Sequence, residues 1–114
     1  MPDCIFCKIV GGEIPSAILY ENEHVIAIDD IRPVAKIHSL IITKRHYDSI
    51  LSPDPEDAGL LGGVMRAVRE VAAIKGVAES GFRLISNCGV EGGQTVPHLH
   101  FHIIGGQPLG ARIV

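Results

Sequence analysis

A run of alternating residues near the end of the chain limits the folds open to it: Val96-Pro97-His98-Leu99-His100-Phe101-His102-Ile103-Ile104-Gly105-Gly106. Three histidines alternate with Leu99, Phe101 and Ile103. A period of two is the signature of a β-strand, whose successive side chains leave opposite faces. The pattern predicts His98, His100 and His102 on one face, each roughly 6.5–7 Å from the next. The opposite face is apolar and needs a core. Half of the chain's six histidines then line one ridge. A solvated face is more readily built from Thr, Lys or Glu, so the ridge reads as a site. Its ends lie roughly 13 Å apart, too wide to converge on one ion held at about 2.0–2.1 Å. A catalytic imidazole face therefore fits better than a three-histidine metal hydrolase.

At 114 residues the chain reads as one domain, residues 1–114. Hydrophobic residues make up 46% and the formal charge is −3. That suffices for a small core and gives no electrostatic footprint for nucleic acid or an anionic membrane surface. Association would bury more apolar area in a chain this small. No apolar run approaches the ~20 residues needed to span a bilayer, and Met1-Pro2-Asp3 opens no signal peptide. Three cysteines, two of them in Cys4-x-x-Cys7 and one alone at Cys88, suit a reducing compartment better than a disulfide scaffold. The expectation is a cytoplasmic protein, with Cys88 buried.

Residues 3–10 carry Ile5, Phe6, Ile9 and Val10 at helical spacing, with Asp3 placed to cap and Gly11-Gly12 to end the turn. Ala17–Tyr20 and His24–Ile28 read as a hairpin, His24 being a solvated hairpin residue. Residues 38–43 form a third strand and 82–87 a fourth. Asp54-Pro55-Glu56-Asp57 is a helix start with Asp54 as cap. Leu60, Leu61, Val64, Met65, Val68, Val71 and Ala72 then form one apolar face, ending near Gly76. Gly62-Gly63 inside that helix costs about 1 kcal/mol per glycine against alanine, which a close approach within the chain or across a dimer would explain. The fold class is α+β: an antiparallel meander sheet with one long amphipathic helix and a short N-terminal helix.

Asn87, the loop Gly92-Gly93-Gln94-Thr95 and the histidines belong together. A glycine loop lets backbone N–H groups approach an anion, with the Thr95 hydroxyl and the Asn87 amide beside it. Imidazole is a nucleophile toward phosphorus and a proton donor near neutral pH. Cys4 and Cys7 supply two thiolates at metal-ligand spacing.

At these residues the chain resembles the histidine triad (HIT) family of nucleotide-binding hydrolases and transferases. Gly92-Gly93-Gln94-Thr95-Val96-x-His98-x-His100-x-His102 looks like its signature, and Cys4–Ile9, Gly12-Glu13-Ile14-Pro15, Asp30-Ile31-x-Pro33 and His38-x-Leu40-x-Ile42 look like its earlier segments. Gly105-Gly106-x-Pro108-Leu109-Gly110 is similar to the C-terminus of the Hint branch, the purine nucleoside phosphoramidases. The resemblance implies His100 as nucleophile on the α-phosphate of a purine nucleotide, with a nucleotidyl-histidine intermediate. His98 and His102 would contact the phosphate, as would Gly93, Gln94, Thr95 and Asn87. It implies Asp30 on the ribose, His38 as an orienting or proton partner, and a homodimer. In bacterial relatives the resemblance also implies a structural zinc on Cys4, Cys7, His46 and His98, with no metal in the chemistry. Thr95 stands where Hint proteins have serine and Pro97 where they have an aromatic residue. Two other readings remain: a dinucleoside polyphosphate hydrolase, against which Gly105-Gly106 argues, and a nucleotide- or partner-binding module with weak catalysis.

Overall fold

A computed structural model describes residues 4–113. The order of elements is α1 (Ile5–Val10), β1 (Ile18–Glu21), β2 (Val25–Asp29), β3 (Ile37–Thr43), α2 (Ala58–Ile74), β4 (Phe82–Ile85) and β5 (His100–Gly105). The strands form one antiparallel five-stranded sheet in the order β1-β2-β3-β5-β4. The first three run as a meander. β5 then enters between β3 and β4, opposite Leu40 at His102 and opposite Ile42 at His100, while Leu84 and Ile85 face Ile103 and His102 from the other side.

Strand parity sorts the core into two layers. Val25, Ala27, Ile41 and Ile103 meet Val64, Ala67, Val68 and Val71 of α2. Ile26, Ile28, Leu40 and Ile42 point the other way, onto Phe6 of α1. Register places His38, His100 and His102 on that second face. The sheet is therefore covered by a long helix on one side and only partly by a short one on the other, and an open cleft is left beside α1.

Several local expectations are corrected. The expected cap Asp3 lies outside the described residues; the Cys4 sulfur caps α1, accepting from the Cys7 N–H at 3.3 Å. The long helix begins at Ala58 with Asp57 as cap, its carboxylate accepting from the Leu60 N–H at 3.0 Å. Asp54 instead accepts from the Glu56 N–H, folding a separate turn one step earlier. Leu61 and Met65 are 63% and 51% exposed, because the sheet covers a narrower stripe centred on Val64 and Val71. The fourth strand stops at Ile85, and Cys88 is half-buried. His98 is not part of β5. It sits in a bend whose N–H donates to the Val96 carbonyl at 2.8 Å, and the strand begins two residues later.

His24 is partly covered, not solvated, and it explains Gly63. A Cβ built at Gly63 would lie 2.9 Å from His24 Cβ, whereas one at Gly62 would meet only the Arg66 guanidinium at 3.2 Å. Close approach within the chain is thus the reason for the second glycine. Gly62→Ala is expected to raise stability by up to ~1 kcal/mol, from helix propensity. Gly63→Ala is expected to lower it by about 1–2 kcal/mol, since overpacking outweighs that gain. Urea unfolding of the two variants side by side checks the opposite signs.

Candidate active site and metal-binding cluster

β3, β5 and the Asp30–Val34 turn bring Asp30, His38, His100 and His102 to one wall of a cleft of about 710 Å³. Thr95 and the α1 residues Ile5, Phe6 and Ile9 line it as well. That volume lies within the range of small-molecule sites. The hydrogen bonds fix where the protons are. His100 Nδ1 lies 2.6 Å from the His98 carbonyl oxygen. A carbonyl only accepts, so Nδ1 carries the hydrogen and Nε2 keeps its lone pair. His38 Nδ1 accepts from the Val34 N–H at 3.1 Å, so its hydrogen sits on Nε2. That hydrogen is shared between His102 Nδ1 at 2.9 Å and the Asp30 carboxylate at 3.4 Å. His102 therefore keeps its own hydrogen on Nε2. The trio Asp30, His38 and His102 has metal-like spacing, yet its lone pairs are already engaged in this proton chain.

Burial pushes the His102 pKa down to about 4, helped by the neighbouring His100 and His38 and opposed by Asp30. At neutral pH it is an uncharged hydrogen-bond donor. The His100 and His102 rings stand 5.1 Å apart between centroids. Phe6 meets His100 edge-on at 4.9 Å and His98 at 5.9 Å.

His98 does not face the cleft. Its ring is fully buried, and Nε2–H donates to the Thr43 carbonyl at 2.7 Å. Burial holds its pKa below the ordinary imidazole range. Its Nδ1 points at Cys4 Sγ (3.2 Å), Cys7 Sγ (3.5 Å) and His46 Nδ1 (3.2 Å). His46 in turn donates Nε2–H to Asp48 at 3.0 Å and turns Nδ1 toward Cys7 Sγ at 3.2 Å. The four donor atoms lie within 4.8 Å of one another. So the expected contact of the His98 side chain with substrate is replaced by membership of this second cluster.

The remaining loop residues stand outside the cleft lining. The Asn87 amide donates to the Gly92 carbonyl at 2.7 Å. Gln94 donates to the Asp48 and Val96 carbonyls and accepts from the Gly89 N–H. Gly93 turns the loop with φ +76°. These three shape the loop that presents Thr95. Sequence reasoning missed the roles of Phe6, Asp48 and Thr43. Phe6 lies inside Cys4-x-x-Cys7 and Asp48 two residues past His46, so proximity in sequence was the available signal for both.

The fold and the two clusters define a class: an α+β domain with an imidazole-lined cleft backed by a Cys₂His₂ centre. The model of the HIT domain matches residues 11–109. Purine nucleoside phosphoramidase of Escherichia coli is 41% identical over 111 residues, covering 97% of this chain and 93% of that protein. Protein HitA of Neisseria gonorrhoeae is 45% identical, covering 92% of this chain and 97% of its own. The structure of a HIT family hydrolase from Clostridium thermocellum superposes with TM-score 0.95 at 47% identity, covering 100% of this chain and 99% of that one. The chain belongs to the HIT family, alongside hydrolases.

The depressed His102 pKa has a sign that stability must follow. Between pH 6.5 and about 4 the unfolded chain takes up a proton at this residue that the native state refuses. Stability is then lost as pH falls through that window. An NMR titration is expected to place the His102 midpoint near 4, and His102→Asn to flatten the corresponding slope in urea midpoints. A midpoint near 6.5 would contradict the burial argument.

Proposed function

We propose that the protein hydrolyses purine nucleoside phosphoramidates at the α-phosphate, in the manner of the Hint branch. One observation carries this reading: His100 is pinned through Nδ1–H to the His98 carbonyl at 2.6 Å, which leaves Nε2 bare beside the cleft. Nε2 attacks phosphorus, the P–N bond breaks, and the departing nitrogen takes a proton from solvent. Water then attacks the nucleotidyl-histidine, the P–Nε2 bond breaks, and a nucleoside monophosphate leaves. Splitting the displacement into two steps lowers each barrier. The Nε2–H of neutral His102 and the Thr95 hydroxyl donate to the phosphate oxygens, and Asp30 holds the ribose hydroxyls. His38 is a positioning residue, fixing the His102 tautomer. Asn87, Gly93 and Gln94 hold the loop that carries Thr95.

The second cluster fits structural zinc. Its sulfur–nitrogen and nitrogen–nitrogen separations of 3.2–3.5 Å match the edges, roughly 3.3–3.8 Å, of a tetrahedron with zinc's usual bond lengths. Both imidazoles already donate their far N–H to oxygen, the arrangement that orients histidine ligands. A dication would replace two thiol protons without changing the charge of the pocket. Zinc would hold α1 to the sheet and take no part in the chemistry.

A homodimer is supported by an apolar hollow of about 420 Å³ lined by Ile50, Leu51, Leu61, Met65 and Leu84, next to the sheet edge at β4. Among the described residues no helix is long and apolar enough to cross a membrane. The free thiols Cys4, Cys7 and Cys88 support a cytoplasmic setting. Residues 1–114 act as one domain.

Mixing with an adenosine phosphoramidate is expected to give a nucleotidyl adduct on His100 by mass spectrometry, and a kcat/KM above that for a diadenosine polyphosphate. His100→Ala should abolish adduct and turnover while remaining folded; full turnover in that variant would end the assignment. Protein purified without chelator should carry one zinc per chain, and Asp48→Ala should weaken zinc binding ~10–100-fold. Metal content well below one per chain would remove the zinc assignment.

A further inference from the structure

α1 has only six residues, too few to be stable by itself. It is held at two kinds of point. Cys4 and Cys7, at its start and one turn in, reach the metal-binding cluster. Between them Phe6, its one buried residue, enters the second core layer. The Phe6 ring stands edge-on to both His98 and His100, at 5.9 and 4.9 Å. The same helix also walls the cleft with Ile5, Phe6 and Ile9. His98 joins the two centres a second time, since its ring belongs to the cluster and its carbonyl oxygen accepts from His100 Nδ1–H.

We infer that Phe6 is a positioning residue for His100, and that through it the Cys4/Cys7/His46/His98 cluster and the nucleotide cleft are coupled. The inference rests on the nucleotide and zinc readings above. With the cluster closed, α1 is clamped, Phe6 is wedged against the two imidazoles, and both the His100 rotamer and the cleft wall are set. With the cluster open, six residues of helix lose their main tether, and the wall and the nucleophile lose their backing together. Coupling between two sites is reciprocal: a nucleotide that needs the clamped wall must tighten the metal by the same factor by which the metal tightens the nucleotide. The cluster is then more than a staple for the fold. Metal supply would then set how well the cleft binds.

The test is an equilibrium competition between the zinc-loaded protein and a chelating dye, with and without saturating AMP. AMP is expected to tighten zinc about fivefold or more. Phe6→Leu, which preserves an apolar core side chain, is expected to hold one zinc per chain while the AMP effect shrinks to within about twofold; adduct formation at saturating substrate should fall with it. Zinc affinity indifferent to AMP, in a protein that binds both, overturns the coupling and leaves the proposed function intact. An undiminished AMP effect in Phe6→Leu removes Phe6 from the link. A protein that takes up no zinc defeats the metal reading and the coupling together, and one that takes up zinc but not AMP defeats the nucleotide reading and with it the coupling.

Discussion

The hydrogen bond from His100 Nδ1 to the carbonyl of His98 is the contact on which the architecture turns. It requires the backbone of residue 98 to leave the strand, because a carbonyl in regular β geometry belongs to a neighbouring strand. The bend at 96–98 meets that need. Once the backbone bends, the His98 ring is carried away from the cleft and toward the cysteines. One local deviation therefore assigns two jobs to three histidines that look equivalent in sequence. His100 and His102 stay with the sheet and the cleft. His98 becomes the joint between the cleft and the cluster behind it.

Protons are managed by backbone groups as much as by side chains. The Val34 N–H, the Thr43 carbonyl and the His98 carbonyl each fix one imidazole tautomer. These partners do not titrate, so each selects one tautomer of its neutral ring. Asp30 and Asp48 add a carboxylate behind His38 and His46 respectively. The result is two imidazole groups with opposite polarities. The cleft presents one bare nitrogen beside one N–H, and the cluster presents two bare nitrogens facing two sulfurs.

Much of this was readable from residue order. A period-two run located β5, other β-prone runs located the remaining four strands, and the spacing of Val64, Val68, Val71 and Ala72 located α2 and its buried stripe. What misled was sequence that satisfies two rules at once. Alternation runs from His98 to Ile103, yet the ladder starts only at His100, the Leu99 N–H being donated to the Tyr47 carbonyl. Asp54 and Asp57 both meet the chemistry of a helix cap, and Asp54 caps a separate turn while Asp57 caps α2. Leu61 and Met65 fit helical spacing, but the stripe that the sheet covers is narrower than the apolar face of the helix. At the site, the spacing of Cys4 and Cys7 pointed to two thiolate ligands, and only the family resemblance added His46 and His98 to them. The contacts of Phe6 are with two rings more than 90 residues away in the chain, and its place inside Cys4-x-x-Cys7 was its one local signal.

The placement of β5 between β3 and β4 also orders events in time. β1, β2 and β3 can pair by successive local turns as soon as they exist, but the edge of β3 that will receive β5 stays open until the last of the strands in chain order arrives. Cys4 and His98, 94 positions apart, meet only then. Loop closure over such a span is costly and is recovered only when the final contacts form. Cleft, cluster and sheet thus all depend on the chain around β5, and a chain ending before residue 100 lacks the strand that seals β3 and completes the cleft.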